Sequence, residues 1–267
     1  MPTRCSIGWK CLGVALLCAA APAFLSAEVD TREVDYQHDD EALRGYLARD
    51  TARDDYRGAV LVVHEWWGLN GYTKQRTRQL AELGYIAFAL DMYGQDKVTD
   101  DPGQAGQWAG ALYQDRSRLR ARAQAGLDAF RDAAELGDTP VAAIGYCFGG
   151  TTVTELAWSG ADLAGVVSFH GNPKPAMEED TERIEASVLI CHGAADGNVP
   201  QDELNAYTDS LDEADADWML IVYAAAKHSF TNPASAARES ENIGYNETAD
   251  RRSWEHMKLF FEEVLDE

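Results

Sequence analysis

Cysteine is scarce in this chain, basic residues are outnumbered, and no long apolar run occurs. Three of the five cysteines in its 267 residues (Cys5, Cys11 and Cys18) crowd the N-terminus, leaving Cys147 and Cys191 for the rest. Two cysteines do not make the disulfide framework that staples small secreted domains. They are expected near the ends of different strands, with separate roles. Lys and Arg number 23 against 45 Asp and Glu, a formal net charge of −22, and no basic patch interrupts the excess. That balance argues against nucleic-acid binding. Acidic runs such as Asp39–Glu41 and Glu178–Asp180 stay short, which reads as a solvated acidic shell that aids solubility. No stretch approaches the roughly 20 apolar residues that a membrane span needs.

What is present begins with a targeting pattern. Met1 to Lys10 carries Arg4 and Lys10 and no acid, Cys11 to Leu17 is apolar, and Ala19 to Ala27 is rich in small residues. A basic start, a short apolar centre and an alanine-rich end make residues 1–27 a secretory signal. Pro22 and the shortness of the apolar part speak against an anchor. Cleavage fits after Ala23 or after Ala27. The expectation is export to the periplasm or beyond, with no stable membrane association once the signal is removed.

Residues 28–267 then form one domain. Short apolar runs at 59–63, 86–90, 141–144, 165–169, 188–190 and 219–223 alternate with helical patterns. Helical spacing is clearest in Leu119, Ala123, Leu127, Phe130 and Ala134, and again in Trp254, Met257, Phe261 and Val264. Continuous apolar strands separated by helices predict a parallel sheet covered on both faces. Residues 33–49, with acidic turn residues Asp39 and Asp40, predict an antiparallel strand pair ahead of it. The fold class is therefore α/β: a single doubly wound, mostly parallel sheet with an N-terminal antiparallel pair.

Such sheets carry their sites outside the carboxyl ends of the strands. Polar residues collect there: His64 and Glu65 after the first parallel strand, Asp91 after the second, Cys147 after the third and His170 after the fourth. His192 and Asp196 follow the fifth, and Lys227 and His228 the last. The run IGYCFGG (144–150) sets Cys147 two residues from Gly145 and from Gly149, between a strand and a helix start. This is the spacing of a nucleophile elbow, with sulfur in place of a serine oxygen. The order Cys147, Asp196, His228 is the nucleophile–acid–histidine order of the α/β-hydrolase fold. A helix N-terminus behind the thiol favours negative charge on sulfur.

Six stretches together resemble the dienelactone hydrolase family: HEWWGLN (64–70), LDMYG (90–94), GYCFGG (145–150), FHG (169–171), HGAAD (192–196) and HSFTNP (228–233). The resemblance runs from about Ala59 to the C-terminal helix. It implies an α/β-hydrolase-type domain that hydrolyses esters or lactones through a thioester on Cys147. His228 would be base and acid, and Asp196 the orienting carboxylate. Glu65 is expected beside the cysteine, helping to deprotonate it. Backbone N–H groups of Trp66 and Phe148 would form the oxyanion hole, and the side chains of Trp66 and Trp67 an apolar substrate pocket. No cofactor and no metal are implied; the partner is a small-molecule ester or lactone.

The family's carboxylate-binding arginines are not matched. Gln95 follows the Asp91–Gly94 motif, and Asn232 stands four residues after His228. Lys97 or Lys227 would be the substitutes. Other classes stay open on sequence: a non-catalytic or acyl-transferring protein of the same fold, or a metal-dependent hydrolase using His64, His170, His192 and His228.

Overall fold

The computed structural model describes residues 1–3, 28–177, 180 and 184–265. The segment read as a signal thus lies outside the described residues apart from 1–3. Eight strands form one sheet: β1 (Val29–His38), β2 (Glu41–Asp50), β3 (Ala59–Val63), β4 (Ile86–Leu90), β5 (Val141–Tyr146), β6 (Gly165–Phe169), β7 (Ser187–Gly193) and β8 (Trp218–Tyr223). Their spatial order is β1-β2-β4-β3-β5-β6-β7-β8. β1 pairs antiparallel with β2, and β2 antiparallel with β4; the six strands from β4 across to β8 are parallel. The expected hairpin is therefore present, and its turn is at Asp39, whose φ of 52° is left-handed.

Among the described residues six helices accompany the sheet: α1 (Gly71–Glu82), α2 (Pro102–Tyr113), α3 (Arg116–Ala134), α4 (Phe148–Trp158), α5 (Gln201–Glu213) and α6 (Glu247–Val264), with a short 3-10 turn at Pro233–Arg238. Strand alternation divides the core in two. Leu61 and Val63 join Leu127 and Phe130 of α3 and Val153 of α4 on one face. Val60 and Val62 join Leu80 of α1 and Met257 and Phe261 of α6 on the other. Residues buried on both faces explain why β3 to β6 read as continuous apolar runs. β8 is one edge of the sheet, opposite β1, and is only half buried.

Chain order reverses around β3, whose neighbours are β4 on one side and β5 on the other. A crevice opens at such a switch point, beyond the carboxyl ends of the strands. Glu65 leaves β3 and Cys147 leaves β5, so adjacent strands deliver both residues to it. His192 is a correction to the sequence reading: it lies inside β7, which runs on to Gly193. Cys191 is likewise inside β7 and fully buried in the core, where it accepts a 3.5 Å hydrogen bond from the Tyr223 hydroxyl.

Candidate active site

Cys147 occupies a backbone conformation that few side chains adopt, φ 54° and ψ −113°. Its N–H donates to the carbonyl of Phe169 (3.0 Å) and its carbonyl accepts from Thr151 (3.2 Å), which fixes the turn between β5 and α4. Left-handed strain of this kind costs about 1–3 kcal/mol and persists only where the surroundings impose it. The two flanking glycines are part of that imposition. A Cβ at Gly145 would stand 2.0 Å from the Gly149 carbonyl oxygen, and one at Gly149 2.3 Å from the Val63 carbonyl oxygen. Strand, helix and neighbouring strand are closer together than any side chain permits.

His228 comes from the long segment between β8 and α6. Its N–H donates to Asn242 and its carbonyl accepts from Gly244, so the histidine is held on both sides. Its Nδ1 lies 2.9 Å from Asp196 Oδ2, with both side chains buried. The Cys147 sulfur lines the same cavity as the ring and acts on it electrostatically. Burial pushes the imidazole pKa down, yet the pull of Cys147 and the Asp196 hydrogen bond outweigh it. The net result is a pKa well above the ordinary histidine value. Histidine and carboxylate are thus bonded to each other, with Cys147 at the wall of the same cavity as His228.

Glu65 is buried next to these groups, but its carboxylate is turned toward the histidine-bearing loop. It accepts from the Ser229 hydroxyl and, at 2.5 Å, from Asn232 Nδ2. Burial raises its pKa above the usual carboxylate range, opposed by those two hydrogen bonds and by the charges of His228 and Arg238. Its partners are neutral donors, and no ion pair to it is found among the described residues. Neither the Trp66 nor the Phe148 N–H has an acceptor among the described residues, which leaves both amides available to an oxyanion.

A cavity of about 590 Å³ adjoins these groups, lined by Glu65, Trp66, Trp67, Cys147, His228 and Arg238 among others. Trp66 and Trp67 meet at 4.8 Å between ring centroids, and the Arg238 guanidinium lies 4.0 Å over the Trp67 ring. Ser229 and Arg238 had no signal in the sequence, because their roles depend on how the loop folds. The two candidate lysines are occupied elsewhere: Lys97 pairs with Glu41 (2.8 Å) and Lys227 with Glu239 (3.1 Å).

The other strand-end residues have structural partners. Asp91 Oδ1 accepts from the amides of Tyr93 and Gly94, closing the turn after β4. His64 is a satisfied core histidine: Nδ1 meets the Glu65 carbonyl at 2.5 Å and Nε2 accepts from the Met92 amide at 3.2 Å. His170 bonds Thr231 Oγ1 at 2.7 Å and packs edge-on to His228. Both nitrogens of His64 and Nε2 of His170 are engaged in this way, and no group of three or more metal-type ligands occurs among the described residues.

Comparison with known proteins gives a consistent result. The model of the dienelactone hydrolase family matches residues 43–265. Protein usf of Aquifex pyrophilus is 27% identical over 237 residues, covering 87% of this chain and 98% of its own. A solved dienelactone hydrolase-like promiscuous phosphotriesterase from metagenomic libraries is 39% identical, with a TM-score of 0.84, over 88% of this chain and 98% of that one. The acylaminoacyl peptidase of Pyrococcus horikoshii, 14% identical with a TM-score of 0.65, covers 91% of this chain and 43% of the peptidase, and shares the fold alone.

Proposed function

Since the chain belongs to the dienelactone hydrolase family, we propose that it is a cysteine-dependent hydrolase of small esters or lactones. The observation that carries this reading is the 2.9 Å hydrogen bond between His228 and Asp196, with His228 and Cys147 on the wall of one cavity. Cys147 Sγ attacks the substrate carbonyl carbon while His228 holds the thiol proton. A carbon–sulfur bond forms, and the oxyanion is met by the Trp66 and Phe148 amides. The tetrahedral species collapses, the ester carbon–oxygen bond breaks, and His228 gives its proton to the departing alcohol. The thioester remains on Cys147.

Acylation itself resets the histidine. Attraction to Cys147 heads the influences that raise the His228 pKa, ahead of the Asp196 hydrogen bond. Once sulfur is acylated that attraction is gone and the pKa falls. A neutral His228 then takes a proton from water, water attacks the thioester, and the acid and the thiol are released. Glu65 belongs to the first half. Raised in pKa by burial and held by neutral donors, it is a carboxylate able to exchange partners when substrate enters. Export, on the pattern of residues 1–27, is part of the same proposal.

The test is hydrolysis of a small activated aryl ester under reducing conditions by wild type, Cys147→Ser and His228→Ala, with intact-mass spectra. Turnover in wild type, an acyl adduct mapped to Cys147 and collapse in both variants is the expected result. Folded, reduced protein that gives neither turnover nor adduct would overturn the reading.

A further inference from the structure

The two edges of the sheet are built differently. β1 carries Asp30, Arg32, Glu33 and Asp35, charges of the kind by which an edge strand discourages further pairing. β8 (Trp218–Tyr223, WMLIVY) holds no charge and no proline, in a chain that is 25% charged. Its Met219 and Val222 side chains are exposed, and so is Leu259 on α6. His256 of α6 reaches the Tyr223 hydroxyl at 2.9 Å, so Leu259, three residues on, lies on the flank of α6 nearest β8. The backbone sets what can cover this edge. The carbonyls of Asp217 and Tyr223 accept from Val188 and Ala194, on the β7 side. Alternation then turns Met219 and Ile221 to β7, and the N–H and C=O groups of Trp218, Leu220 and Val222 outward. Those outward groups have no partner among the described residues.

We propose that β8 is a dimerisation strand, which pairs antiparallel with β8 of a second copy of this chain about a two-fold axis at Leu220. One sheet then runs through both copies. With Leu220 opposite its own counterpart, Trp218 of each copy falls opposite Val222 of the other. Each such pair exchanges two hydrogen bonds, so every outward backbone group of Trp218, Leu220 and Val222 is used in both copies. Centring the pairing on Ile221 would instead carry Trp218 past the end of the facing strand. On the α6 face Met219 meets Ile221 of the second copy, and on the other face Val222 meets Trp218. Charge agrees with the antiparallel sense. It lays the acidic entrance to β8, with Asp215 and Asp217, beside the second copy's exit, 224–227, which has no acid and ends in Lys227. An uncharged edge is also where two chains of −22 approach with least repulsion.

Sedimentation velocity gives the mass of the purified protein at micromolar concentration, and amide-resolved hydrogen exchange reads residues 217–223. Neither depends on turnover, so the result is independent of the hydrolase reading. Wild type is expected to sediment at twice the mass of one chain. Val222→Lys and Met219→Lys each set a charge into the paired edge. Both should sediment as monomers with unchanged far-ultraviolet dichroism. In these monomers the amides of Trp218, Leu220 and Val222 should exchange about tenfold faster than in wild type, or more, while those bonded to β7 keep their rates. A monomeric wild type, the result if β8 serves a different protein, would overturn the proposal. So would a dimer that persists in both variants, or a wild-type dimer whose three outward amides exchange as fast as in the variants.

Discussion

Gly149→Ala adds one methyl group at the point where α4 crosses the end of β3. That methyl would lie 2.3 Å from the Val63 carbonyl oxygen, 2.6 Å from its carbon and 2.8 Å from the His64 carbonyl oxygen. Ordinary contact begins at 3.4 Å, so the first approach is about 1.1 Å too close. Each of these three neighbours is backbone, and none can rotate away. Relief requires that the start of α4 move from the β3 terminus by on the order of 1 Å. The Phe148 amide sits on one side of that gap and the Trp66 amide on the other. A misplacement of this size costs on the order of 10²-fold in rate. Overpacking also destabilises by about 1–3 kcal/mol, or roughly 2–12 °C in Tm for a domain this large. The assay is kcat for an activated aryl ester, measured well below the variant's own Tm. Gly110→Ala in α2 is the control, since a Cβ there meets nothing within 4 Å; it should retain full activity. A folded Gly149→Ala protein with kcat within threefold of wild type would refute the argument that this close approach sets the oxyanion geometry.

Asp196→Asn should lower kcat by about 10³- to 10⁴-fold with the fold intact, because an amide no longer fixes the His228 tautomer across the 2.9 Å contact; a loss below tenfold would remove Asp196 from that role. The raised pKa of buried Glu65 makes a signed stability prediction. A folded-state pKa above the unfolded one stabilises most below the unfolded value of about 4.3, and that stability is lost as pH rises through the folded value. The Tm of Glu65→Gln minus that of wild type should therefore become more favourable to the variant between about pH 4 and pH 8. A difference that stays constant or moves the other way in thermal unfolding would contradict the burial argument.

Legibility in the sequence followed burial. Strands β3, β4 and β6 run over the same residues that their apolar stretches mark, because both of their faces are covered. β7 extends past its apolar centre to Cys191, His192 and Gly193, where function and close packing replace aliphatic side chains. Helix α1 gives little periodic signal, since Thr73, Arg76 and Thr77 are among the residues it buries. Arg76 is held there by Asp250 at 2.5 Å, by the Thr231 carbonyl and by the faces of Tyr72 and Trp254. No hydropathy pattern anticipates a buried arginine whose partners lie 155 and 174 residues away. Cys147, Asp196 and His228 were legible because each follows a strand with a recognisable turn, whereas the partners of Glu65 and the position of Arg238 come from tertiary folding of one loop.

That loop separates two tasks within the site. The elbow is set by packing of β5, α4 and β3, where added volume meets backbone; the positions of Cys147 and of the two amides proposed for the oxyanion are therefore tied to the sheet itself. The segment between β8 and α6 supplies His228, the Ser229 and Asn232 contacts of Glu65, and Arg238, while Asp196 follows β7 and Glu65, Trp66 and Trp67 follow β3. It is pinned from behind through Thr231, which bonds His170, Tyr72 and Arg76. Its anchored half, 228–232, carries the groups to which the proposed function gives proton movement, and its second half, Pro233–Arg238, mostly exposed, contributes Ala234, Ser235 and Arg238 to the cavity wall. On the proposed function, substitutions in the second half should change which ester is accepted while leaving Cys147 and His228 in place. Loops on a rigid scaffold carry specificity in this way. In this chain the division falls within eleven consecutive residues, 228–238.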